Sequence, residues 1–585
     1  MRSLPSRWLA QGPALTLTAA LFLSACSGDA DQEPRPASES PTDVDDDSDQ
    51  LIRLSYVCGN RFVLVNSYSV PMTLTWRVAE TGEDGSATVA ASDPTRHPPA
   101  SELMLETQSR GTLELYLKEQ KLKTRANRNI PCTPSVAAPS FAGAASADMG
   151  AWSAVLNWPI VAVHGNLLPN AKVLLWGSSG SGVPHVWDPA TNVFKPYPSP
   201  ALLFCAGHAF TAEGQLLVVG GHISGDHGLP NVTLFDQNSG WSSLPPMPQG
   251  RWYPTATTMG NGEVVALAGL DQKAQHVTLP EVWTQAGGMR RLMGASFELP
   301  YYPMSFLAPN GKLFVAGEGQ MSRWLDITGS GSWTDAALRR FGTRDQGSAV
   351  MYDEGQVLYT GGGRTTNTAE TINLKPSTPQ WKWTSPMAYA RRQHNLTVLP
   401  TGEVLATGGT AGTAFNDLTK MVRAAETWNP ATGAWTTLAS SSVDRAYHSI
   451  ALLMPDGRVL QAGGGAAGAV ATNEFNAQFF SPPYLFRGPR PVISSAPSPV
   501  RYLQSFRITT PDAASIAKVT LVRTGSVTHA FDMNQRFRKL AFTKDATGLT
   551  VTGIIGRNLT PPGYYMLFIV NTRGVPSVAK ILKVR

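Results

Sequence analysis

One short unit recurs through the middle of this chain: a turn glycine, an apolar strand, then a glycine pair. It reads EGQLLVVGGH, NGEVVALAGL, NGKLFVAGEG, EGQVLYTGGG, TGEVLATGGT and DGRVLQAGGG, with turn glycines Gly214, Gly262, Gly311, Gly355, Gly402 and Gly457. Successive copies stand 44 to 55 residues apart. An earlier copy, PNAKVLLWGSS, puts Asn170 at the turn, 44 residues before Gly214. A unit of this length cannot bury its own faces, so it must stack on its neighbours. VWDPATNVF, LFDQNSGWSSLPPM and TWNPATGAWTTL read as the outer strands of the same unit.

The predicted fold is therefore all-β. Residues 151–484 are expected to form a seven-bladed kelch-type β-propeller, since seven copies close a ring and leave no long free edge. The high counts of Gly (54) and Pro (44) in 585 residues fit many turns between short strands. Two regions lack the unit. Residues 51–133 alternate as LIRLSYV, RFVLVNS, MTLTWRV, ATVAA and GTLELYL, which predicts a small β-sandwich. A Pro/Ala/Ser/Gly-rich linker, 134–150, follows it. Residues 485–585 predict an Ig-like β-sandwich. A repeat fold of this kind says little about function by itself.

The N-terminus predicts export. Arg2 and Arg7 precede an apolar run, Ala14 to Leu23, too short to span a membrane. Leu23-Ser24-Ala25-Cys26 reads as a bacterial lipobox, making 1–26 a lipoprotein signal peptide with Cys26 diacylated. The plain alternative is an ordinary signal peptide and a secreted protein. Residues 27–50 are acidic and nearly free of apolar side chains, so they read as a disordered tether. The expected address is the cell envelope, outer membrane or cell surface. The net charge of +6 is spread thinly, with no basic run interleaved with aromatics, which argues against a nucleic-acid partner.

Four cysteines then sort themselves. Cys26 would carry lipid. Cys58 and Cys132 bracket the first sandwich and are expected to form a disulfide. Cys205 is left over, as a buried core thiol or as special chemistry.

Two further segments carry chemistry. Arg445-Ala446-Tyr447-His448-Ser449 holds two adjacent ligand-type side chains. Thr528-His529-Ala530-Phe531-Asp532-Met533-Asn534-Gln535-Arg536 holds a second histidine. Blades of this type place an Arg and then a Tyr or His before the inner strand for packing alone. Arg251-Trp252-Tyr253 and Arg392-Gln393-His394 occupy that position, and His394 is read as structural. In a regular strand Tyr447 and His448 point to opposite faces, so both face one metal only at a strand end.

The order FCAGH (Cys205), RWYPT (Tyr253), RAYHSIALLMPDGRVLQAGGG (Tyr447, His448), GSVTHAFDMNQR (His529) and PPGYYMLFIVNTRGVPSVAKI resembles the galactose oxidase and glyoxal oxidase family. The likeness runs from about residue 152 to the C-terminus. It implies a mononuclear Cu(II) held by Tyr253, His448 and His529, with Tyr447 as axial phenol. It also implies a thioether bond from Cys205 to a ring carbon of Tyr253, which stabilises a tyrosyl radical. In the family Tyr447 would take the substrate's hydroxyl proton and the Tyr253 radical a hydrogen from the adjacent carbon. Dioxygen would then leave as hydrogen peroxide.

The implied activity is oxidation of a primary alcohol, sugar or small aldehyde by O2, without nicotinamide or flavin. A narrower glyoxal oxidase-type activity on aldehydes is the nearest alternative. A catalytically inactive, lipid-anchored glycan-binding kelch protein is the alternative from another class. Two departures weigh against galactose. The family's shielding tryptophan is missing from Ala268-Gly269-Leu270-Asp271, and the N-terminal region does not resemble a carbohydrate-binding domain. A monomer is expected.

Overall fold

The computed structural model describes residues 52–58, 61–66, 70–89, 101–109, 111–117, 119–125, 141–142, 147–178, 183–465 and 473–585. Cys26 and Cys132 lie outside them, as does the side chain of Cys58, so the lipidation and disulfide expectations concern residues outside this description. The fold is all-β. Its helices among the described residues are single 3-10 turns at Leu418–Lys420, Pro483–Phe486 and Ala513–Ser515. Among the described residues no helix is long and apolar enough to cross a membrane.

The first region contains two antiparallel sheets. One joins Ile52–Cys58, Arg61–Asn66 and Ser101–Glu106; the other orders Asp84–Val89, Met72–Val78, Leu113–Leu117 and Gln120–Arg125. Alternate residues of both meet in one cluster, including Leu54, Leu64, Leu74, Val78, Leu113 and Leu115.

The repeat emerges as antiparallel sheets of four strands, one of them with a short hairpin, His222–Ser224 with His227–Gly228, between its second and third strands. Five follow directly in sequence, spanning Gly207–Leu244, Thr255–Arg291, Ser305–Leu338, Ser348–Thr384 and Asn395–Ser440. Two more have visitors. The sheet from His164–Leu167 to Val193–Pro196 is extended by Ser526–Thr528 and Phe531–Asp532. The sheet holding Ser449–Leu453, Val459–Gly463 and Asn476–Ser481 takes its outer strand, Ala151–Ser153, from the other end of the repeat region, with Trp152 opposite Phe480.

The turn glycines are there for their backbone. Gly214, Gly262, Gly311, Gly355, Gly402 and Gly457 all have φ between +65° and +93°, where a side chain is strained. In the earliest copy the left-handed residue is Ala171 (φ +67°), not Asn170. Asn170 instead accepts the Lys172 amide on Oδ1 at 3.1 Å, so the expected turn residue is one position out.

The last region has two sheets, Phe506–Thr509 with Gly548–Val551 and Phe542–Asp545, and a second built on Ile516–Arg523 and Gly563–Asn571. They share a cluster containing Val519, Leu521, Leu549, Val551, Leu567 and Ile569.

Candidate metal centre

A strained turn precedes the inner strand of most repeat sheets. Cys205, Tyr253, Tyr302, Gln346, Gln393 and His448 all have positive φ there, between +44° and +64°. Non-glycine residues adopt this conformation only where the surroundings hold them in it. Backbone bonds do the holding. The Tyr253 amide donates to Cys205 O at 2.9 Å, Tyr302 to Tyr253 O at 2.9 Å, and Gln393 to Gln346 O at 2.7 Å.

A buried arginine anchors four of these turns. Arg251, Arg344, Arg391 and Arg445 donate from Nη1 to Ala268 O, Gly361 O, Gly408 O and Gly463 O. At the first three of these turns the left-handed residue comes two positions after the arginine: Tyr253, Gln346, Gln393. After Arg445 it comes three positions on, at His448. The extra residue is what lets Tyr447 and His448 both face inward from adjacent positions. The anchor in the sixth sheet is Arg391, whereas Arg392 pairs with Asp345 at 2.8 Å, so the repeat position is shifted by one from the sequence reading. His394 is fully buried and bonded to Thr360 Oγ1 at 2.7 Å; burial first, then Arg391 and Arg344, push its pKa down to about 3.

His529 arrives on a separate hairpin. Ser526–Thr528 pairs with the first inner strand, His164 opposite Thr528, and Asp532 Oδ1 accepts three amides, from Ser526, Asn534 and Gln535. His529 and Ala530, at φ +47° and +63°, form the tip.

The four side chains converge. Tyr253 Oη lies 2.5 Å from Tyr447 Oη and 3.1 Å from His529 Nε2. Ring centroids are 4.0 Å apart for Tyr447 and His448 and 4.5 Å for His448 and His529. The hydrogen bonds also fix both imidazoles. His448 Nδ1 meets Gly465 O at 2.7 Å, and a carbonyl can only accept, so Nδ1 carries the proton. Thr528 Oγ1 donates its one proton to Val163 O at 3.0 Å and therefore accepts from His529 Nδ1 at 2.7 Å. Both Nε2 atoms thus keep their lone pairs. His448 Nε2 is buried with no hydrogen-bond partner. Among the described residues no three His, Cys, Asp or Glu side chains gather as a metal site. Two imidazoles and two phenols do gather, and nitrogen and oxygen donors of this kind suit Cu(II).

Cys205 is fully buried in the cluster that holds Phe204, Trp252, Tyr253 and Tyr302. Tyr253 is sandwiched. Trp252 stacks on it at 3.8 Å and 5°, and Tyr302 leans on it at 4.7 Å and 33°. Tyr302 also stacks on His529 at 4.5 Å and donates to Ala206 O at 3.1 Å. The exposed Tyr301 and Phe415 stand edge-on to Tyr253 and Tyr447.

The chain is similar to known proteins over most of its length. A family model described as galactose oxidase-like, early set domain, matches residues 490–584, and one described as glyoxal oxidase N-terminus matches 348–484. A galactose oxidase of Gibberella zeae is 32% identical over 490 residues, covering 74% of this chain and 71% of its own. The chain belongs to the galactose oxidase and glyoxal oxidase family, the copper radical oxidases. An aldehyde oxidase of Vitis pseudoreticulata is 27% identical over 459 residues, covering 68% of this chain and 84% of its own. Among solved structures, a fungal alcohol oxidase in complex with copper superposes with a TM-score of 0.69 at 28% identity, over 75% of this chain and all of that one. This copper radical oxidase is therefore an oxidoreductase.

Sequence reasoning missed a buried network behind His529. Ser526 Oγ donates to Asn166 Oδ1 at 2.6 Å and so accepts from His208 Nδ1 at 2.6 Å; His208 Nε2 in turn accepts from His164 Nδ1 at 3.0 Å. His164 has no motif around it, and His208 closes FCAGH without anything there to mark its partner. Only their place on neighbouring inner strands brings them together.

Proposed function

We propose that the protein oxidises a primary alcohol or small aldehyde with O2, giving the aldehyde or acid and hydrogen peroxide, at a copper held by Tyr253, Tyr447, His448 and His529. The convergence of two phenol oxygens with two fixed Nε2 lone pairs carries this reading. The seven repeat sheets are read as a closed kelch propeller. The first inner strand, His164–Leu167, lying against the last, Ser449–Leu453, supports closure. The flanking pairs of sheets are read as β-sandwiches.

Bound copper would supply one of the two oxidising equivalents and acidify the substrate hydroxyl. Tyr447 is the proton acceptor for that hydroxyl, being the phenol beside the exposed Phe415. Tyr253, joined to Cys205 by a thioether, holds the second equivalent. Its burial between Trp252 and Tyr302 keeps water and small reductants from the ring. Trp252 does the shielding that Ala268-Gly269-Leu270-Asp271 cannot. O2 takes the two electrons and two protons and leaves as peroxide.

A narrower aldehyde oxidase is the second reading, favoured by the wording of RWYPT and FCAGH and by the aldehyde oxidase relatives. All five site residues are present, which speaks against an inactive glycan-binding relative. They come from one chain, so a monomer suffices. We read the protein as exported, lipid-anchored through Cys26 or secreted, with a Cys58–Cys132 disulfide.

A peroxide-coupled screen of alcohols, sugars and aldehydes with copper-loaded protein tests the function. Copper-dependent peroxide from at least one class is expected; none from any would sink it. Copper loading should also shift migration on denaturing gels, and Cys205→Ser should abolish that shift.

A further inference from the structure

The four anchoring arginines are alike in place but not in charge balance. Arg251 reaches Glu281 through Nε at 3.1 Å and Nη2 at 2.8 Å; Arg391 reaches Glu426 likewise at 3.1 and 2.7 Å; Arg344 reaches Glu370 through Nε at 3.0 Å. All six side chains are buried, so each pair is neutral where it sits. In the seventh sheet the glutamate's place is taken by Asn476. Arg445 Nη2 donates to Asn476 Oδ1, and the buried Nε has no partner. The carboxylate that acts on Arg445 most strongly, Glu474, stands one amide away, its Oε2 accepting from Asn476 Nδ2 at 2.6 Å. Asp444 is engaged by Arg423 at 2.7 and 3.0 Å on the surface.

This is the sheet that carries Tyr447 and His448. Arg445 Nη1 donates to Gly463 O, two residues from the Gly465 carbonyl that fixes His448. Gly463 pairs across the sheet with Ser449, the residue after His448. A charge in the protein interior is screened far less than at the surface, so it is felt at the neighbouring site.

We propose that Arg445 is a charge-setting residue: its guanidinium, bonded to the Asn476 amide and to no carboxylate, keeps positive charge behind Tyr447 and His448 and raises the reduction potential of a copper bound there. Positive charge favours the less charged, reduced metal. The proposal rests on the copper reading above. It assigns Asn476 the role of holding Glu474 at arm's length, which a glutamate at that position would not do.

Two variants move the balance in opposite directions. Glu474→Gln removes the outlying carboxylate. The double variant Asn476→Asp with Glu474→Gln keeps the charge count of the natural pair but puts the carboxylate on Arg445. Potentiometric titration of copper-loaded protein, with Cu(II) counted by electron paramagnetic resonance, reads the result. At fixed mediator potential the ratio of reduced to oxidised copper is expected to rise several-fold in Glu474→Gln and to fall several-fold in the double variant. The metal-free double variant should also melt higher, because Arg445 Nε gains an acceptor. Shifts of the same sign, or none in either variant, overturn the proposal, since a merely structural role does not invert. If the natural protein takes up no copper, the copper reading falls with it. If it takes up copper with a two-imidazole signature and the variants do not diverge, this inference alone falls.

Discussion

Trp252 lies flat on Tyr253, with ring centroids 3.8 Å apart and planes 5° from parallel, and its indole N–H donates to His222 Nδ1 at 3.2 Å. Neighbours in sequence rarely stack, because an extended backbone sends them to opposite faces. The left-handed Tyr253 turns the second ring back over the first. A π-stack of this kind is worth about 0.5–1.5 kcal/mol beyond the area it buries. Trp252→Leu is expected to shorten the lifetime of the one-electron-oxidised protein while leaving copper affinity intact. Trp252→Phe should recover most of that lifetime. The decay of the oxidised form's absorbance checks both.

Thr528 fixes His529 by accepting from its Nδ1, and its own proton goes to Val163 O. Thr528→Val keeps the shape and removes the acceptor. Copper affinity is expected to fall about 10–100-fold, as for other losses of a hydrogen bond behind a metal-binding histidine. Competition titration against a chelator of known affinity measures it, and an unchanged affinity would show that the ring is oriented by Tyr302 stacking alone.

The buried pair of Arg391 and Glu426 makes a separate point about stability. Glu426→Ala leaves a guanidinium with no carboxylate in a dry interior, at an expected cost of about 3–5 kcal/mol. Urea unfolding checks this, and the loss should far exceed that for a surface pair such as Arg423–Asp444.

Glu318 sets a pH dependence away from the metal centre. Burial, reinforced by the Asp345 carboxylate and opposed by Arg339 and Arg392, pushes it from 4.5 up to about 7. The folded state therefore holds this proton more tightly than the unfolded state. Its contribution to stability is complete below about pH 4.5 and is lost as pH rises through about 7. Glu318→Gln should flatten the fall in thermal midpoint between those values. An identical slope in the variant would assign it to other groups.

Much of the architecture was legible because the backbone leaves few choices. A turn with φ near +85° selects glycine, so the turn of each repeat is written in the sequence, and Ala171 escaped notice because it bears that strain without being glycine. Tyr447 and His448 stood out as a doublet, yet their joint direction depends on a one-residue offset from Arg445 that only the Gly463 bond reveals. Trp252 was in plain sight within RWYPT, but stacking on its own neighbour is invisible without the sign of φ at Tyr253. His164 and Asn476 carry no local pattern at all, and His208, inside FCAGH, gives no sign of what it bonds. Their roles come from which strands lie side by side.

The strand Ala151–Ser153 is paired with Asn476–Ser481, and His529 comes later still on its hairpin. A growing polypeptide therefore cannot complete the seventh sheet until nearly all of it has been made, and the donor set stays one imidazole short until the final sheets dock. Metal capture at the proposed site would thereby be deferred until the last sheets have formed.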